Sequence, residues 1–399
     1  TGLLIIHKMA GKKAAHSVNC LYPYKHPKEG DLMKKSTMFS NILQTIIPKE
    51  EVLPLIKEAG YVDTGRKFKV YDLFLFLSQA ALGQWDGYRD GEKRMPSSGM
   101  AKADHSTISK KAKDVPFEIF KQLLSLMIQK CNRPTRRRLR IPKELLVVDS
   151  TKITVGIGRL PWAPLKGEKA GIKLHVSLIA DAGKLHKVTE TTGYRPDISS
   201  CKDVLDDRFI LVADRAYGKH RQFDDYLEKQ QYFVIRLRDN THFHEPKPRT
   251  RKRPFVGTIE RDLTCQLGTT STLSKNRFRV VILKDPHGNP VILATNLHKP
   301  SAEKIAEMYR KRWQIEVFFR WIKQHLNVPK LFGTSPNAIY GQLYTALLVY
   351  VLLKFVFDQG NSVVHPSAKL TFAEFDRLFS MDVMQPEWIV YLTSNLTFP

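Results

Sequence analysis

The sequence predicts an α/β fold in which a helical segment leads into a mixed-sheet domain that carries a β-rich insertion. Three observations predict it. Apolar residues recur near every 3.6 positions through residues 36–132. From Glu144 the pattern changes to short β-branched runs, two of which end in an aspartate, with one helical stretch among them. Between about 240 and 297 the runs are strand-like again, set among Gly and Pro.

Taken in order, the opening thirty residues have no clear period. Met33 begins MKKSTMFSNILQTII, which has the look of a start, so residues 1–35 read as a leader outside the folded protein or weakly ordered. MFSNILQTIIP, VYDLFLFLSQAALGQW and VPFEIFKQLLSLMIQKC read as helices. GMAKADHSTISKKAKD lies between the last two, with Ser or Thr placed to cap a following helix. This Lys-rich region, 36–132, fits a DNA-binding domain, and equally an ordinary bundle with a solvated basic face. RPTRRRLRIPKE, residues 133–144, holds five arginines and two prolines and reads as a basic linker lying on phosphate, or as a solvated charge run.

ELLVVDSTKITV and GIKLHVSLIADAGKLHKVTET then read as strands, RFILVADRAYG as a buried strand, GKHRQFDDYLEKQ as a helix and YFVIRLRD as a strand. FVGTIE, RFRVVILKD and NPVILATNL form the insertion, together with the basic run KPRTRKRPF. The domain closes near residue 330, and residues 331–399 read as a C-terminal helical region. Its most apolar run, LYTALLVYVLLKFVF, contains Lys354 and is too short to span a bilayer, so a core helix is expected there and no membrane.

Composition narrows the partners. Lys plus Arg total 64 against 39 Asp plus Glu, a net charge of +25 with pI near 9.8, spread along the chain. Such a protein meets a polyanion, nucleic acid before an acidic membrane surface. The four cysteines have neither zinc-finger nor C-x-x-C spacing, which excludes those metal and redox classes and predicts buried reduced thiols in the cytoplasm.

The chemistry concentrates in three acids. Asp149 follows LLVV and Asp214 follows FILVA, so each closes a buried run at the sheet edge, where α/β sheets put their sites. Either one alone also fits a turn-capping aspartate. The third is on YRKRWQIEVFFRWIKQHL, residues 309–326, which has no Gly or Pro and reads as one helix. At about 100° per residue, Tyr309, Arg312, Glu316 and Lys323 fall within an arc of roughly 60°. An apolar arc of Met308, Ile315, Phe319, Ile322 and Leu326 lies beside them. Arg312 and Glu316 also match an ordinary i,i+4 helix pair, and Tyr309 a core residue. Three carboxylates suit two Mg²⁺ ions, with Mn²⁺ as a substitute, clamping the attacking and leaving oxygens of a phosphodiester. Arg312 and Lys323 would then face phosphate.

The order Asp149, Asp214, Glu316 resembles the D-D-E triad of bacterial insertion-sequence transposases. Tyr309-x-x-Arg312-x-x-x-Glu316-x-x-x-x-x-x-Lys323 resembles the Tyr-Arg-Glu-Lys motif of family four of those insertion sequences. VVDSTKITV, the stretch ending in GIKLHVSL, and VADRAYG are similar to the same family, so the likeness runs from about 145 to 330. The resemblance implies an RNase H-like catalytic domain split by the insertion. It also implies a bacterial, nucleoid-associated protein that works as a homodimer in a synaptic complex on double-stranded DNA. That DNA would be the terminal inverted repeats of its own element and a target. Nicking, hairpin formation, hairpin opening and strand transfer would share one site. Asp149, Asp214 and Glu316 carry over as metal ligands, and Tyr309, Arg312 and Lys323 as DNA contacts. Hairpin-forming relatives hold a flipped base on a tryptophan of the insertion. Here no Trp lies between Trp162 and Trp313, which leaves Phe243, Phe255 or Phe278 to stack instead. His175 is expected to be packed or backbone-bonded. Two other readings share these residues: a catalytically silent DNA-binding relative, and a metal-dependent nuclease without strand transfer.

Overall fold

The computed structural model describes residues 35–136, 143–165, 167–180, 182–194, 203–250, 254–255, 257–326, 328–381 and 383–396. The expected leader therefore lies almost wholly outside the described residues, as does the middle of the basic linker. Helix α6 runs on to Arg136, so the first residues of that linker are helical.

Among the described residues, six α-helices come first: α1 (Lys35–Ile46), α2 (Lys49–Glu58), α3 (Val70–Leu82), α4 (Tyr88–Arg94), α5 (His105–Asp114) and α6 (Phe117–Arg136). Asp104, rather than a Ser or Thr, caps α5. Its carboxylate accepts from the amides of Ser106 and Thr107 at 2.8 and 3.1 Å and from the Thr107 hydroxyl at 2.7 Å.

Among the described residues, nine strands form one mixed sheet in the order β3-β2-β1-β4-β5-β9-β8-β7-β6. β1 (Leu145–Gly156), β2 (Lys169–Ile179) and β3 (Lys184–Thr192) are antiparallel neighbours. β4 (Ile210–Ala213) lies parallel to β1, and β5 (Phe233–Arg236) parallel to β4. α7 (His220–Glu228) makes the crossover between β4 and β5. The insertion strands β6 (Phe243–Pro248), β7 (Ile259–Leu267), β8 (Phe278–Lys284) and β9 (Pro290–Thr295) do not stand apart, because β9 pairs antiparallel with β5 and continues the sheet. Asn296 secures that junction, its side chain bonding the amide of Phe233 at 3.0 Å and the carbonyl of Gln231 at 2.9 Å.

Side chains alternate between two cores, as the period of two requires. Leu145 and Val147 join the core beneath the helices, while Leu146 and Val148 join a second core with Phe223 and Tyr226 of α7. With both faces covered, the strands read as unbroken apolar runs. α8 (Ala302–Arg310) and α9 (Trp313–His325) follow the sheet, then α10 (Pro336–Val363), α11 (Phe372–Met381) and α12 (Pro386–Val390). α10 starts on a Ser335 cap with Pro336 in its first turn. It exceeds the expected apolar run at both ends and is, by length and composition, the one helix among the described residues able to cross a membrane. Nearly all of its apolar window is nevertheless buried against α3, α5, α6 and β3. Each such buried Leu, Val or Phe contributes about 1.5–3 kcal/mol.

Candidate active site

β1 and β4 run parallel until the pair Val148↔Ala213. Asp149 and Asp214 are the next residues on each, so register alone sets the two acids side by side. β4 ends there, and Asp214 accepts the Arg215 amide at 2.7 Å to start a short 3-10 turn. β1 does not end. STKITV is β-branched enough to carry it on to Gly156 against β2, so Asp149 stands within the strand, where its parallel neighbour stops. Asp149 Oδ1 accepts its neighbour's amide, Ser150 N, at 2.8 Å.

The motif helix arrives in two pieces. α8 stops at Arg310 and α9 starts at Trp313, with i→i+3 bonds from Arg312 N to Tyr309 O (2.9 Å) and from Gln314 N to Lys311 O (3.1 Å). This tight turn lets α9 pack on β1 with Ile315, Phe318, Phe319 and Ile322 buried beneath it. Glu316 falls in the first turn of α9, where the helix dipole favours a carboxylate.

Arg312 occupies the middle. Its Nη2 is 2.6 Å from Glu316 Oε1 and its Nη1 is 3.6 Å from Asp149 Oδ2, and the guanidinium carbon lies 5.8 Å from the centre of the Tyr309 ring. Its Nε is buried without a hydrogen-bond partner. Burial works against the charge of Arg312, but Tyr309, Glu316 and Asp214 outweigh it and its pKa rises. Burial pushes the Asp149 carboxyl up to about 6; the Ser150 amide and Arg312 pull it down, and the negative charges of Asp214 and Glu316 add to the rise. Tyr309, mostly buried, is also shifted up by burial and feels both Asp214 and Arg236.

Of the residues expected at the site, Asp149, Asp214, Tyr309, Arg312 and Glu316 come together. Lys323 does not touch them. It lies seven residues beyond Glu316, about 10 Å along the helix, half-buried, with its pKa lowered by burial and no ion pair among the described residues. Arg236, which closes β5 beside Tyr309 and has a buried Nε without a partner, was not expected. Its signal was the charge that ends the run FVIR, the same design as the two aspartates. Phe278 cannot stack on a base, since it is 1% exposed and packs in the second core on Phe223 and Phe233. Phe255 is exposed and Phe243 half-buried. His175 is fully buried, with Nε2 2.9 Å from the Thr191 hydroxyl.

Among the described residues, no three His, Cys, Asp or Glu side chains form a metal-holding group, since the guanidinium stands between Asp149 and Glu316. The donors are nonetheless hard oxygens from three backbone elements, and burial, with the charges of Asp214 and Glu316 adding to it, makes Asp149 hold its proton more strongly than usual. That chemistry fits a hard divalent cation.

The family model described as "Transposase DDE domain" matches residues 140–352, a span that includes all three acids. The chain is 45% identical over 356 residues to a protein of Geobacillus stearothermophilus named as the probable transposase for insertion sequence element IS5377, covering 89% of this chain and 94% of that one. It is 31% identical over 146 residues to a Synechocystis protein described as a transposase of element IS4SA, covering 36% and 40%. Among solved structures, a piggyBac transposase synaptic complex with hairpin DNA aligns with a TM-score of 0.45 at 13% identity, covering 92% of this chain and 83% of that one.

Proposed function

Since the chain belongs to the DDE transposase family and so is an enzyme acting on DNA, we propose that it mobilises its own insertion sequence through phosphoryl transfers at Asp149, Asp214 and Glu316. The observation that carries this reading is the convergence of those acids, from β1, β4 and α9, around Arg312. The strand order 3-2-1-4-5, antiparallel through β1–β3 and parallel through β1, β4 and β5, supports an RNase H-like catalytic core.

Asp149, Asp214 and Glu316 would hold two Mg²⁺ ions, or Mn²⁺ in their place. Bound there, the ions would supply an activated water and stabilise the leaving oxygen of an in-line displacement. Arg312 lies where one guanidinium serves either the acids or a phosphate, and Tyr309 fixes its plane from behind. Arg236 and Lys323 extend the positive charge to either side of the scissile bond. The substrates are the terminal inverted repeats of the element, held by a homodimer on the bacterial nucleoid. Nicking comes first, then hairpin closure and opening, then strand transfer to target DNA.

The test is a plasmid carrying the gene's own flanking DNA, incubated with protein and Mg²⁺ and resolved on denaturing gels. The wild type is expected to nick at the element's borders and to form hairpins and joined products. Asp214→Asn, Asp149→Asn and Glu316→Gln are expected to bind DNA yet cut at least about a hundredfold more slowly. Full cutting by any one of them removes that residue from the site. Binding without cutting by the wild type in either metal overturns the catalytic reading, and nicks without joined products reduce it to a nuclease.

A further inference from the structure

Helix α5 is amphipathic in an uncommon way. Ile108 and Ala112 turn into the core, while Ser106, Thr107, Lys110 and Lys113 are all exposed on the other side. The outward side chains are graded, with short hydroxyls in the first turn and long ammoniums toward the end. Asp104 is folded back as the cap, so on the outward face the only free carboxylate is Asp114, at the last residue. A buried ion pair extends the surface. Lys111 reaches behind the helix to Asp63 and to the Tyr61 hydroxyl at 3.4 Å, and lies over the Tyr61 ring at 5.2 Å. It thereby fastens the loop before α3, whose Arg66 and Lys67 are exposed. Among the described residues, Arg66, Lys67, Lys110 and Lys113 make no ion pair. On the other side, Glu92 of α4 bonds His105 Nδ1 at 2.8 Å and fixes the entry of α5.

From this arrangement we infer that α5 is the helix that reads double-stranded DNA, lying in the major groove with Lys110, Lys113, Arg66 and Lys67 on the flanking phosphates. The inference rests on the terminal-repeat reading above and names the surface that carries it. A helix about 10–12 Å across fits a major groove about 12 Å wide. Short side chains in the first turn let the helix axis approach the base edges, and the first turns of a groove-bound helix are where bases are read. The Thr107 hydroxyl, which donates to Asp104, and the Ser106 hydroxyl can both accept from donors on those edges, and the Thr107 methyl suits a thymine methyl. The lysines sit where the groove wall returns, and contribute affinity without sequence preference.

The experiment measures binding of the full chain, in EDTA so that nothing is cut, to fluorescent duplexes of about 40 bp. One duplex carries the element's own end and the other the same bases scrambled. Lys110→Glu/Lys113→Glu is expected to weaken both duplexes at least tenfold and to lower the salt-dependence slope by about two, one per phosphate contact. Ser106→Ala is expected to spare the scrambled duplex and to cut the preference for the true end about fivefold or more. Lys229→Glu, a single Lys-to-Glu change just past α7 on the opposite face of the sheet, is expected to change affinity little. Melting temperatures, expected unchanged at these exposed positions, separate binding from folding. If the double variant binds both duplexes as the wild type does, or if Lys229→Glu weakens them equally, α5 is not the DNA surface. If the wild type itself does not distinguish the duplexes, the terminal-repeat reading and Ser106's role fall together. The affinity of the double variant still decides whether α5 touches DNA.

Discussion

Arg312 bridges Glu316 and the side of Asp149 with one planar cation, and a smaller cation cannot span both. Arg312→Ala is therefore expected to lower the single-turnover nicking rate about a hundredfold, and Arg312→Lys to restore only part of it. Lys323, away from the acids, is expected to cost about tenfold as Lys323→Ala; nicking and DNA affinity both at the wild-type level would remove it from the interface. A pH dependence of stability belongs to another pair. His186 and Asp206 are bonded at 3.0 Å, and burial lowers the His186 pKa against the pull of Asp206. Asp206, despite burial, is held low by its Arg208 bonds. Both groups bind protons more readily unfolded than folded, so stability rises with pH. The His186 share is lost as pH falls below about 6.5, and the Asp206 share only as pH falls further, below about 4. Urea midpoints at pH 7.5 and 5.5 are expected to drop on acidification, and to drop less in His186→Gln.

At the scale of elements, Arg279 on β8 ties the sheet extension to the start of α8. It is 2% exposed, makes paired bonds to Asp262 at 2.9 and 2.8 Å, and reaches the carbonyls of Leu297 and Pro300 at 3.1 and 2.6 Å. Without Arg279 the buried Asp262 keeps only Arg249, whose Nε is 3.6 Å away, so Arg279→Met is expected to cost about 3–5 kcal/mol in urea denaturation, and Arg279→Met/Asp262→Leu to recover part of that. Asp149 and Asp214 were legible in the sequence because buried runs that end in a charge are rare. The Glu316 helix was legible because its apolar and polar arcs keep a helical period. The break at Lys311–Arg312 was not, since nothing local forbids a straight helix there and packing on β1 decides it. Nor was the joining of β9 to β5, a pairing between segments far apart in the chain. Asp149 inside its strand was legible in ELLVVDSTKITV, because the change from LLVV to STKITV alters burial, not backbone preference.

Among the described residues, the first core joins the helices to one face of the sheet. α6 and α10 pack along each other, with Phe120 against Gly341, where an added Cβ would sit 3.1 Å from the ring. Lys121 of α6 and Tyr344 of α10 both bond Glu190 of β3. Cys131 on α6 and Cys265 on β7 report on opposite ends of this body. Both thiols are buried, and burial pushes them up to about 12 and about 11, so they are expected to be unreactive at neutral pH. With Cys20 and Cys201 replaced by Ser, the two thiols are expected to become reactive at the same urea concentration. Separate midpoints would show that the helical and sheet parts unfold independently.

The burial of α10 has a consequence for how the protein is made. The main partners of this helix, α6, α3 and α5, all precede it in the chain, and α11 packs on it afterwards. At about 5–20 residues per second, a ribosome takes on the order of ten to forty seconds to go from the end of α6 to the end of α10. For that interval the apolar faces of α3 and α6 wait without the helix that covers them, and a nascent chain in that state is a natural client for a chaperone. The last long helix to emerge closes the core, so a ribosome that stalls before residue 336 releases a chain with its surfaces made and its centre missing.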